Sequence, residues 1–288
     1  MGSVERQRFR AEAKPVNLRS IMSAIKLEEL LEAGAHFGHQ VQRWNPKMKP
    51  YILCARNGIH YLDLEKTISG LDKFIERVRE VTNKGGKILF VGTKKQLKDY
   101  IKEEAQRCKM PFVTERWLGG MLTNLSTVKE SIRRLDKLEA EIETEDFHKL
   151  TKKEQGQKIH EKEKLLSVLG GIRDMKHNPK IVFVVDTIRE HLAVSEARRL
   201  DIEVAAIADT NSNPDLIDYV IPANDDAIKS VKAITEKIVD AIVDATKDIK
   251  VITEKETEED KARAKYEKQD SEDEESRRPR KKIRKKAE

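Results

Sequence analysis

K-I-L-F-V-G-T-K-K at residues 87–95 and K-I-V-F-V-V-D at 180–186 decide the fold of this chain. Each opens with a short apolar run, rich in β-branched and aromatic side chains, and ends in small or polar residues. A strand wet on one face alternates apolar with polar residues. A strand that is apolar throughout is buried on both faces, as strands of a parallel sheet are. E-V-A-A-I-A at 203–208 repeats the pattern more weakly, and Pro111–Val113 and Tyr219–Ile221 add two shorter candidates. Between such runs the apolar period changes. Leu64, Ile68, Leu71, Phe74, Ile75, Val78 and Val81 step by three and four, which predicts an amphipathic helix over 63–83, closed by Gly85-Gly86. Further helices are expected at 94–108, capped by Thr93, at 189–200, and from Asn224 or Asp225 to 246. Strands separated by helices predict an α/β domain. Its parallel sheet carries helices on both faces, in the Rossmann or flavodoxin-like manner.

Outside this frame, a short helix is expected at Lys26–Ala33, ended by Gly34. The following H-F-G-H-Q-V-Q-R-W-N-P-K-M-K-P reads as irregular, being rich in glycine and proline. Extended pieces at Tyr51–Leu53 and Ile59–Leu62 flank Asn57-Gly58, a pair that favours a type I′ hairpin turn. Leu122, Leu125, Val128, Ile132, Leu135, Leu138 and Ile142 form a heptad pattern. With Ile159, Leu166, Leu169 and Ile172 on a return helix beyond a polar turn at 143–157, it predicts an inserted, protruding antiparallel coiled-coil hairpin. A long helix pair lying on the core is the plainer alternative. The organisation expected is a flexible arm at 1–21, an α/β domain at 22–121 and 176–249, the hairpin at 122–175, and a disordered charged tail at 250–288.

The chain has 288 residues, 38% of them charged, and a net charge of +6. Residues 1–21 carry five basic and two acidic groups, and residues 250–288 fourteen and twelve, so 22–249 is nearly neutral. Total charge therefore does not establish a polyanion partner, and clustering has to. No Asp or Glu occurs from Ala33 to Leu62, from Val81 to Lys98, or from Arg116 to Lys129, while cations recur in each stretch. The tail ends in the polybasic R-R-P-R-K-K-I-R-K-K, an RNA-binding arm or a solvated tail. Two distant cysteines, Cys54 and Cys108, give neither a disulfide framework nor a cysteine zinc site. No apolar run is long enough to span a bilayer, and the N-terminus lacks a secretory core. A cytoplasmic location is expected, with an organellar one the alternative.

Candidate sites follow from side-chain chemistry. No G-x-G-x-x-G and no Walker motif occurs, although Gly92-Thr93-Lys94-Lys95 sits where phosphate loops sit. It leaves open a nucleotide- or phosphate-binding α/β enzyme. His36 and His39 lie three apart beside Gly38, with no neighbouring acid to complete a metal ligand set, so no metal and no cofactor is expected. Asp209-Thr210-Asn211-Ser212-Asn213-Pro214-Asp215 reads as a polar turn, and Asp225-Asp226 as a helix start. The strongest signal is Arg43-Trp44-Asn45-Pro46-Lys47-Met48-Lys49-Pro50-Tyr51, where cations for phosphates interleave with rings for stacking. Arg116-Trp117-Leu118-Gly119-Gly120 repeats the Arg-Trp pairing, with Trp117 open to a core role.

Several blocks, in order, resemble a known family. They are L-L-E-A-G-A-H-F-G-H-Q at 30–40, R-W-N-P-K-M-K-P-Y-I at 43–52, R-N-G-I-H-Y-L-D-L at 56–64, G-G-K-I-L-F-V-G-T-K-K-Q at 85–96, R-W-L-G-G-M-L-T-N at 116–124 and D-T-N-S-N-P-D-L-I-D-Y-V-I-P-A-N-D-D-A-I at 209–228. Together they are similar to bacterial-type ribosomal protein S-two over residues 22–246. The resemblance implies a non-catalytic protein of the small ribosomal subunit. It implies small-subunit rRNA, neighbouring ribosomal proteins and the mRNA-capturing ribosomal protein S-one as partners, and no membrane. Within the matching blocks, the residues expected to meet RNA are Arg43, Trp44, Lys47, Lys49, Arg56, Lys94, Lys95, Arg116 and Trp117.

Overall fold

A computed structural model of the protein describes residues 24–247, with side chains throughout except at 145 and 146. The arm expected at 1–21 and the tail expected at 250–288 lie outside the described residues. In chain order the elements begin with α1 (Leu27–Glu32), β1 (Phe37–Gln40), β2 (Ile52–Arg56), β3 (Ile59–Leu62) and α2 (Leu64–Asn83). Then come β4 (Ile88–Val91), α3 (Lys98–Arg107), β5 (Phe112–Val113), α4 (Leu125–Ile142), α5 (Glu145–Lys149) and α6 (Lys152–Leu169). The remainder is β6 (Ile181–Val184), α7 (His191–Arg199), β7 (Glu203–Ala208), β8 (Tyr219–Pro222) and a helix α8 over 228–247.

The main sheet has the order β5-β4-β6-β7-β8, every neighbouring pair parallel. In sequence rank that is 2-1-3-4-5, the flavodoxin-like order, with its switch point between β4 and β6. Alternate strand residues serve different cores, because side chains of a strand point to opposite faces. Ile88, Phe90, Ile181, Phe183, Ala205 and Ile207 meet Leu71, Phe74 and Val78 of α2, Ile101 of α3 and Val231, Ile234 and Ile238 of α8. Leu89, Val91, Val182, Val184, Val204 and Ala206 meet Ala193, Val194 and Ala197 of α7, with Trp117, Leu122, Ile132 and Leu169. The sheet is thus covered on both faces, as the unbroken apolar runs require.

The smaller antiparallel sheet, β1-β3-β2, differs from expectation at its first strand. Phe37–Gln40 was expected to be irregular, but it pairs with β3, Phe37 opposite Tyr61 and Gln40 opposite Ile59. Gly38 is what permits this, since a Cβ there would lie 2.5 Å from Thr210 Cγ2 and 3.1 Å from the His60 carbonyl. The β2–β3 turn is as expected: Asn57 and Gly58 have φ of 52° and 77°, the positive pair a type I′ turn needs. Helix α3 starts later than expected. It begins at Lys98 after a turn, and Thr93 caps nothing in it.

Between β5 and β6 the chain runs through α4, α5 and α6. The polar turn expected at 143–157 is replaced by α5 and the first part of α6, where Thr151 and Glu154 form a reciprocal capping box. Arg134 pairs with Glu161 and Lys158 with Glu141. Partner numbers run in opposite directions, as two antiparallel helices require. Ile132, Leu135 and Leu138 are the buried face of α4, a subset of the expected heptad positions.

Candidate nucleic-acid interface

The 41–51 loop is two short 3-10 segments, Val41–Arg43 and Pro46–Tyr51. Three anchors fix it. Asn45 accepts a hydrogen bond from the Lys47 amide on its side chain, and its own amide donates to the Thr210 carbonyl at 2.7 Å. Met48 is fully buried in the α7-side core. The intervening cations therefore face outward: Arg43, Lys47 and Lys49 are exposed, as is Arg56 at the end of β2. Lys47 reaches Asp215, while Arg43, Lys49 and Arg56 make no ion pair among the described residues. Trp44 is half-buried, its ring 5.0 Å from that of buried His60, so only part of it is open to a base.

At the switch point the expected phosphate site is filled by the protein's own groups. Lys94 Nζ contacts Asp186 at 3.0 Å, Asp225 at 2.9 Å and Asp226 at 2.7 Å. The Thr93 amide donates to Glu190 Oε1 at 3.0 Å, and its hydroxyl contacts the same carboxylate. Arg189 Nε donates to Thr93 Oγ1 at 2.8 Å. A carboxylate thus sits where a phosphate would, and the lysine that would meet that phosphate is held by three acids. Burial works against the Lys94 charge, yet the surrounding carboxylates hold its pKa above the ordinary value. Lys94 is only 15% exposed. Its ammonium is therefore already engaged within the protein, unlike the other cations expected to meet RNA. Lys95 next to it is exposed and without an ion pair among the described residues.

The same network brings together groups far apart in sequence. His39 Nδ1 lies 3.0 Å from Asp209 Oδ2, and that hydrogen bond raises the imidazole pKa. His39, Asp209 and Asp225 each offer a ligand atom within 4.8 Å of the others. A set of one imidazole and two carboxylates suits a divalent cation. The sequence reading found no such set because both acids lie beyond residue 200, and this corrects the ground for expecting no metal there. The histidine pair itself is split: His36 turns away, its ring tilted against Phe37 at 4.0 Å and stacked on Tyr61 at 5.9 Å, as residues three apart on an extended chain must diverge. Burial raises Asp225 to about 7, with Lys94 opposing and Asp186 and Asp209 adding to the rise.

Trp117 is 6% exposed and donates through Nε1 to Glu196 at 3.0 Å, so it packs in the core, the role the sequence left open for it. Arg116 beside it is exposed and without an ion pair among the described residues. Glu196, inside the helix expected at 189–200, is buried, and nothing in its local sequence pattern marks it.

The family model described as ribosomal protein S2 matches residues 30–245, three quarters of the chain and every strand of both sheets.

The chain belongs to the ribosomal protein S2 family.

Relatives agree. The small ribosomal subunit protein uS2 of Chloroherpeton thalassium is 53% identical over 221 residues, 77% of this chain and 88% of that protein. The protein of the same name from Bdellovibrio bacteriovorus is 52% identical over 220 residues, 76% and 70% of the two lengths. Membership makes this chain a structural, non-enzymatic constituent of the small ribosomal subunit, acting in translation. The α/β enzyme suggested by the loop after β4 is set aside on the same ground. Among the described residues, no helix is long and apolar enough to cross a membrane.

Proposed function

We propose that this family member binds small-subunit rRNA through Arg43, Lys47, Lys49, Arg56, Lys95 and Arg116, without catalysis, in the cytoplasmic ribosome. The observation that carries the reading is the anchoring of exposed cations on fixed loops. Arg43, Lys49, Arg56, Lys95 and Arg116 have no acidic partner among the described residues, whereas Lys94 is held by three. Free cations release counterions from a phosphate backbone and supply affinity, while their fixed placement selects a folded RNA shape. Trp44 supplies the partly open ring.

The reading extends to protein partners. The α4–α6 pair serves as a coiled-coil arm toward neighbouring subunit proteins, supported by the exposed Ile159 and Leu166 on α6. Docking of ribosomal protein S-one is supported by an open groove of about 640 Å³ lined by Leu27, Leu31, Leu53, Tyr61 and Leu64. Leu53 there is 70% exposed, far more than an aliphatic residue gains from water.

The test is co-sedimentation of tagged chain on a sucrose gradient at moderate and raised salt. Migration with the small subunit is the expected result. Free protein at the top of both gradients would end the ribosomal reading. The double variant Lys47→Glu, Lys49→Glu should keep its melting temperature and lose incorporation, and normal incorporation would remove this loop from the RNA face.

A further inference from the structure

The carboxylate of Glu196 is buried and has no cation partner among the described residues. It is instead surrounded by donors from a single loop. Oε1 accepts from Trp117 Nε1 at 3.0 Å and from the Gly120 amide at 2.8 Å. Oε2 accepts from the Leu122 amide at 3.0 Å, the Thr123 amide at 3.1 Å and the Thr123 hydroxyl at 3.1 Å. Five donors satisfy both oxygens, the coordination expected of an anion in a nest of backbone amides. Here the anion is supplied by α7 and the nest is the loop. Gly120 takes φ of +91°, which lets its amide turn inward.

This closure has an outward consequence. Trp117, Met121 and Leu122 are drawn into the core, while Arg116, Leu118 and Gly119 are left on the surface. Glycine at 119 has open space around it, so a phosphate or ribose can approach the backbone there. The loop also ends at the start of α4, so the same carboxylate ties the root of the helix pair to α7.

We infer that Glu196 is a positioning residue for rRNA binding: it holds the 117–123 loop in the shape that presents Arg116 and the Gly119 backbone to the RNA. The inference rests on the proposed rRNA reading, and it adds that the loop is preformed. A loop already closed on its own carboxylate loses little conformational freedom on binding, which is where preorganisation gains affinity.

The experiment is a double-mutant cycle on the full chain, read as affinity for transcribed bacterial small-subunit rRNA at fixed salt, with melting temperatures alongside. Arg116→Ala should weaken binding about 5-fold and Glu196→Gln about 10-fold, the amide being unable to accept from all five donors. The double variant should be no weaker than Glu196→Gln alone, because a displaced loop has already lost its arginine contact. Multiplying effects would overturn the inference, since they would mean that Glu196 acts on stability elsewhere. An unaffected Arg116→Ala would instead overturn the underlying reading of this loop as an RNA contact. Should Glu196→Gln fail to fold, Trp117→Phe removes one donor and keeps the ring. Its effect should be smaller, about 2- to 3-fold, and again absent in the Arg116→Ala background; a multiplying effect overturns the inference here too.

Discussion

Buried carboxylates shifted in opposite directions set how this protein responds to pH. Burial opposes ionisation of Glu196, but the hydrogen bonds from Trp117 and the loop amides outweigh it and hold its pKa below 4.5. A depressed carboxyl contributes stability that is full above the unfolded value and is lost as pH falls through the folded one. Wild-type stability should therefore decline below pH 4.5, and Glu196→Gln should flatten that limb in urea melts across pH. Asp225 runs the other way. Raised from 3.8 to about 7, its protonated form favours the fold, so its contribution is full below 3.8 and lost as pH rises through about 7. His39, raised from 6.5 by its bond to Asp209, loses its contribution over the same alkaline side. The Asp225 contribution should thus fade between pH 3.8 and about 7, and Asp225→Asn should reduce the slope of stability against pH in that window. An unchanged slope would show that Asp225 is ionised throughout this range. Asp226, by contrast, is held low by the Lys94 ammonium and stays charged.

At the scale of elements, the helix pair is where pattern and packing separate. Seven heptad positions were legible between Leu122 and Ile142, yet α4 buries Ile132, Leu135 and Leu138 along its length. Leu122 lies before the helix begins and joins the sheet-side core with Trp117. The centre of the pair is therefore held by few residues. Leu135 is fully buried, and Leu135→Ala should cost about 2–5 kcal/mol in denaturant unfolding. Ile159→Ala on the exposed face of α6 should cost under about 0.5 kcal/mol. Equal costs would contradict the packing described. The strand β1 shows the opposite case. Its glycine and histidines look irregular in sequence, and it becomes a strand because β3 offers a partner edge and Thr210 leaves no room for a side chain at Gly38. Short strands owe their existence to such pairing more than to their own propensity.

For the whole molecule, binding to rRNA should carry the salt signature of a phosphate contact surface. Each exposed cation that neutralises a phosphate adds about one to the slope of log affinity against log salt. Lys49→Ala and Arg56→Ala should each lower that slope by about one, measured by filter binding over a salt series. Lys94→Ala should leave the slope unchanged and lower the melting temperature, because its charge is already spent on Asp186, Asp225 and Asp226. A reduced slope in that variant would return Lys94 to the RNA face.

The amino-acid sequence by itself determined the parallel sheet with its connecting helices, the Asn57-Gly58 turn, the helix pair and the family. These are properties of local period and of residues adjacent in the chain, and apolar runs buried on both faces leave few alternatives. The exposure of Arg43, Lys49 and Arg56 followed from the same local reading. Only the tertiary structure decided which charges are free. Lys94 and Lys95 are neighbours with the same side chain, and one is enclosed by acids more than 90 residues away while the other faces solvent. His39 finds Asp209 across 170 residues, and Glu196 finds its five donors 73 to 79 residues back. The physical reason is the topology of the sheet: parallel connections return every strand end to one edge, so groups remote in the chain converge there and neutralise one another. Periodicity reports how one segment meets water; the partner of a charge depends on where the other segments end.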